Sequence, residues 1–259
     1  MSPLPGMPQS EPLAVWRALD DQQDLLDLLE QDWMEGRLAA DDFANQRAFL
    51  AAICEAVLHP DRQTPGLRMD IPLAFVERMA RPCQSFTPEV IDQIDAEMMD
   101  QFENMEESAY WQRQERLWGL VSQGDLDGAR ALVFEQLLDG LQSQSMAYAM
   151  TAVWELQQHR LVDYPEALSV PGNAHLTMDL IIPTAVALAL TCSQIGGCSD
   201  NHFLVIALCS WPDRGPCRPP LDLYQAIDQL MTGLEIQYFN HLLDEVEREL
   251  RERAHVTRP

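Results

Sequence analysis

Apolar residues recur at intervals of three and four along nearly the whole chain, the period of a helix and not of a strand. Val15, Trp16, Leu19, Leu26, Leu29 and Trp33 form a first row. Phe43, Leu50, Ile53, Cys54 and Val57 form a second, for which Asp41 is the expected N-cap. His59-Pro60 ends that row, since the residue before a proline disfavours the α conformation. Beyond the turn-rich DRQTPG a shorter helix is expected from Pro72 to Ala80.

The clearest start signal is Thr87-Pro88-Glu89: a hydroxyl cap, a proline in the first turn and an early acid. At 100° per residue, Val90, Ile91, Ile94, Met98, Phe102 and Met105 share one sector of the helix that follows. The opposite sector carries Glu89, Asp92, Asp95, Glu97, Asp100, Glu103, Glu106 and Glu107, with no Arg between Pro82 and Gln112. Such a row is either a solvated face or, through mutual repulsion, a surface that favours a cationic partner.

Between Leu117 and Leu168 the pattern is that of helical hairpins, with Gly124-Asp125 as break and N-cap. The segment GDLDGA, with Ala129 at the close-packing position, resembles the inter-helix turn of a tetratricopeptide repeat. An echo at Asp163-Tyr164-Pro165-Glu166-Ala167-Leu168 follows after 38 residues and not the usual ~34. Neither copy carries the full repeat pattern, so the resemblance implies an α-hairpin only. Past Pro171-Gly172 the segments Met178–Cys192 and Phe203–Trp211 are strongly apolar. The second contains strand formers but has no strand to pair with, and is read as helix. A long last helix is expected from Leu221 to Ala254, with Leu223, Ile227, Leu230, Leu234, Leu242, Val246 and Leu250 on its buried stripe.

The fold class that follows is mainly α: a single-domain, multi-helix assembly with helical hairpins and a long C-terminal helix. It would occupy residues 11–254, after a flexible leader over 1–10 and before a tail over 255–259, with a sub-boundary near 169–176.

Composition narrows the function classes. Of 259 residues 47% are hydrophobic, enough for a sizeable core, and 41 acids against 17 bases give a formal charge of −24. Nucleic acids and anionic membranes need a basic footprint, so neither is the expected partner. A basic protein is. Every basic residue is Arg and none is Lys, through codon bias, halophily or avoidance of a primary amine. MSPLPGMPQSEP lacks the basic and apolar regions of a secretory signal, and the run Leu180–Leu190 is too short to span a membrane. The expected compartment is the cytoplasm, with thiols reduced.

Motifs for chemistry are missing or fall short. Cys192, Cys198, Cys209 and Cys217 surround His202, but their gaps of five, ten and seven residues do not match zinc pairs. They read as small buried thiols, with disulfides and zinc as the alternatives. Glu55 with His59, Glu155 with His159, and His241 with Glu245 stand four apart, where four-helix carboxylate sites use three. GDLDG resembles part of a calcium loop, yet Phe134 stands where the closing acid belongs. Asp20, Asp21, Asp24, Asp27 and Glu30 would hold magnesium only if a second acidic set faced them. No GxSxG, GxGxxG or GxxxxGK[ST] occurs. The sequence therefore names no catalytic residue, metal ligand or cofactor.

The expected function is non-enzymatic: an acidic helical protein that binds a basic partner, foremost an immunity or inhibitor protein neutralising a toxin or effector. A secretion chaperone or adaptor is the next reading, and an all-α metal-dependent enzyme with an acid-lined pocket the third. The expected contact residues are Glu89, Asp92, Asp95, Asp100, Glu103, Glu106 and Glu107. The sequence leaves the oligomeric state open.

Overall fold

A computed structural model describes residues 12–17, 22–62, 71–103, 109–163, 180–195, 197–198, 202–210, 217–219 and 221–256. Among the described residues the helical period is realised and no strand occurs. In chain order the α-helices are α1 (Leu25–Met34), α2 (Ala40–Leu58), α3 (Leu73–Met79), α4 (Pro88–Glu103), α5 (Ala109–Gln123) and α6 (Leu126–Gln142). They continue with α7 (Met146–Gln158), α8 (Ile181–Gln194), α9 (Phe203–Cys209), α10 (Leu223–Leu230) and α11 (Gly233–Val256). Single 3₁₀ turns cover Ala14–Arg17 and Pro60–Arg62. The expected leader and the sub-boundary near 169–176 lie outside the described residues.

The centre of the fold is α8. Every one of its 14 residues is buried and none is charged. Pro183 is tolerated in the first turn, where a backbone N–H has no helical partner anyway. Around α8 pack α7, α11 and α9, with α6 behind α7. The α6–α7 hairpin is tight because Gly140 lies against the next helix: a Cβ there would come within 2.9 Å of the Ala149 amide. On the other side α7 meets α2, which carries α1, α3 and α4. Buried apolar side chains from all eleven described helices join in one core.

Buried polar groups fasten the connections. Gln46 Oε1 accepts from the Met146 amide at 3.2 Å, and Gln144 Oε1 from that of Leu13 at 2.9 Å. The Asp24 carboxylate caps α1 through the amides of Leu26 and Asp27 and also accepts from Ser85, so one side chain joins two elements. Asp32, fully buried, accepts from the Ala14 and Val15 amides and from Arg37. His202 accepts from the Leu204 amide at Nδ1 and donates from Nε2 to the Trp16 carbonyl, while Trp16 stacks on Phe203. One imidazole tautomer satisfies both contacts.

Four expectations need correction. The last helix is two: Met231 is extended, and α11 restarts at a capping box in which Thr232 N–H donates to Glu235 and Glu235 N–H to the Thr232 hydroxyl. Asp41 is not the cap of α2; Ala39 holds that place without a side-chain bond, and Asp41 sits in the first turn. Trp33 leaves the core row and lies half-exposed, stacked on Phe43. The cysteines are not thiols. All six are paired, as Cys54–Cys83, Cys192–Cys198 and Cys209–Cys217. The first bond ties α2 to the turn before α4, and the second closes the end of α8. Asp125 and Gly124 behave as expected: the glycine turns at φ +76° and the carboxylate accepts from the Gly128 amide.

Candidate partner-binding face

Helix α4 is anchored by its apolar side. Ile91 and Ile94 are buried and the helix packs on α2, which turns the acidic sector outward. Glu89, Asp92, Asp95 and Asp100 are exposed. Glu103 forms the last residue of the helix, and Glu106 and Glu107 lie outside the described residues.

The exposed acids do not share one environment. Glu89 takes hydrogen bonds from its own backbone amide and the Thr87 hydroxyl, which hold its carboxyl below the ordinary range. Asp92 pairs with Arg62, whose Nε also reaches Glu55 at 3.0 Å. Glu97 receives Gln93 Nε2 at 2.7 Å and Arg47 Nη1 at 2.6 Å, and these lower its pKa in that order. Although α4 itself carries no Arg, two arginines from the preceding segments therefore cover part of its acidic sector. The sector is narrower than its sequence implies, with Asp95 and Asp100 exposed along it.

The Glu-His pairs separate by environment. Glu55 belongs to Arg62, Glu245 to Arg248, and His241 Nε2 meets the Asp163 carbonyl. Only Glu155 and His159 meet, with Oε2 and Nε2 2.9 Å apart at the end of α7. Glu155 is almost wholly buried, and burial lifts its pKa to about 7 against the opposing pull of Gln114 from α5. Burial lowers the pKa of His159. Spacing finds this pair but cannot tell it from the other two, because the sequence does not reveal depth. Among the described residues, no three His, Cys, Asp or Glu side chains are grouped so as to hold a metal ion. No described helix is long and apolar enough to cross a membrane.

None of the protein-family models, curated proteins or solved structures compared with this chain matches it.

Proposed function

We propose that the protein works by binding a basic protein partner, as an inhibitor or immunity protein that covers a cationic surface of a toxin or effector. The observation that carries the reading is the outward acidic row of α4 on a chain of charge −24. Carboxylates on a rigid helix raise the local concentration of a cationic partner and orient it before contact. An inhibitor of this kind would occupy the cleft through which a cationic enzyme draws its own anionic substrate.

The three disulfides favour an oxidising compartment over the reducing cytoplasm as the place where it acts, because protein thiols stay reduced in the latter. An inhibitor sharing that compartment with a secreted toxin fits the same reading.

The test is kinetic. The partner is captured from native extract, and its association with wild type is compared with that of a variant carrying Asp95→Asn, Asp100→Asn and Glu103→Gln. The variant should associate about tenfold more slowly at low salt and show a shallower salt dependence, with dissociation little changed. Equal rates and equal salt slopes would remove α4 as the steering face.

A further inference from the structure

The neighbouring helices α5 and α6 and the distant α11 turn single faces into one open groove of about 740 Å³. From α5 come Arg116 and Leu120, four residues apart; from α11 come Glu249 and Arg253, also four apart. Helix α6 supplies the floor between them. Ala131, Leu132 and Leu138 lie on it with Leu120, at the spacing of a single helix face. From Gly128 to Leu138 the floor runs about 15 Å at the helical rise, the length of nearly three turns of a second helix.

The α11 wall is braced from inside. Glu249 holds Arg130 at 2.8 Å and Arg253 at 2.9 Å, and both guanidinium groups lie near the buried Phe134 ring, at 5.9 and 5.1 Å from its centroid. Arg253 is thus committed to the wall. Around the apolar floor stand the carboxylates of Asp125, Glu135 and Glu252, the last also within 3.3 Å of Arg248. Arg116 is the base on the opposite side. An apolar strip edged by more acid than base is the complement of an amphipathic helix whose polar flanks are Lys or Arg. A second copy of this chain, itself at −24, would be repelled from it.

We infer that this groove seats a cationic amphipathic helix of the protein partner. The inference rests on the binding reading above and adds to it a place where apolar contact is made, distinct from the steering face on α4. Side chains at positions i, i+3 or i+4, and i+7 of the incoming helix would lie on Leu120, Ala131, Leu132 and Leu138. Its basic flanks would meet Glu135 and Asp125.

The probe is a fluorescein-labelled Leu/Lys peptide about 18 residues long with leucines at helical spacing, and a scrambled peptide of identical composition. Fluorescence anisotropy with the full chain should show the patterned peptide binding at least about tenfold more tightly than the scrambled one, since charge alone attracts both equally. Ala131→Arg places a long cationic side chain on the floor at an exposed helical position that tolerates it, and should weaken the patterned peptide by about tenfold or more. Ala131→Ser should bind as wild type does, and melting curves of both variants should match wild type. Equal binding of the two peptides, or undiminished binding by Ala131→Arg, would overturn the groove as a seat. With the captured partner the two proposals separate. Loss in Ala131→Arg with an unaffected α4 triple variant overturns the α4 reading alone, and the reverse overturns the groove alone.

Discussion

Helices α8 and α4 are close in length, 14 and 16 residues, and opposite in what surrounds them. Every residue of α8 is buried, and its side chains carry no charge. Helix α4 turns one side to water and sets acids along it, two of them covered by arginines from elsewhere in the chain. The contrast separates two tasks. Helix α8 fixes the relative positions of α7, α9 and α11 by burial, and any ligand it met would have to unfold the core first. Helix α4 is seated through Ile91, Ile94 and their neighbours, and its acidic side stays exposed.

The largest effect comes from adding the same charge to both helices. Ala187→Glu would put a carboxylate at a fully buried position inside the apolar core, and should cost more than about 4 kcal/mol, enough to abolish cooperative folding. Ala96→Glu, on the exposed side of α4 between Asp92 and Asp100, should cost no more than about 1 kcal/mol. Urea unfolding followed by far-UV circular dichroism reads both. A folded Ala187→Glu protein would mean that α8 is not the centre of the fold.

The disulfides sharpen the same contrast. Cys54–Cys83 closes a separation of 29 residues and fastens the turn that launches α4, whereas Cys192–Cys198 closes only six at the end of α8. On loop-closure entropy, replacing the first pair by alanines should cost about 3–4 kcal/mol and the second about 2. The packing of α8 supplies what its short bond does not. Denaturant midpoints of the two double variants measured under oxidising conditions test the order; a larger loss from the short loop would reverse it.

Much of this division is written in the chain, but not all of it. Thr87-Pro88-Glu89 marks the start of α4, and Gly124-Asp125 the turn into α6, because caps act within a few residues of backbone. The break between α10 and α11 hides behind periodicity: Leu230 and Leu234 remain four apart, so the stripe continues in phase through the extended Met231. Thr232-x-x-Glu235 is the capping-box signal that exposes it. What sequence could not supply is long-range. Six cysteines leave many pairings open, and Arg47 and Arg62 reach α4 only once α2 lies beside it. The groove of α5, α6 and α11 likewise exists only after residues more than a hundred apart have met.

The smallest effect concerns α7, the helix that lies directly on α8, and whether a charge is hidden against that uncharged centre. Glu155 keeps its proton in the folded protein up to about pH 7, while in the unfolded chain it loses it near its ordinary value of 4.5. Below that ordinary value both states are protonated and the group has no effect on stability. Between the two values unfolding releases a proton, so stability falls as pH rises, and above about 7 the penalty stays constant. The difference corresponds to about 3 kcal/mol at most. His159 works with the opposite sign: its pKa is lowered by burial, so the unfolded chain takes up its proton first and stability falls as pH drops through its ordinary range. Glu155→Gln retains His159 and the shape of the side chain, and keeps the position neutral at every pH. Near pH 4 the variant and wild type should be about equally stable, and by pH 8 the variant should be more stable by about 2–3 kcal/mol. Urea midpoints across that range measure the gap. Parallel curves would show that Glu155 ionises as readily in the fold as outside it, and that the shell around α8 is wetter than its burial implies.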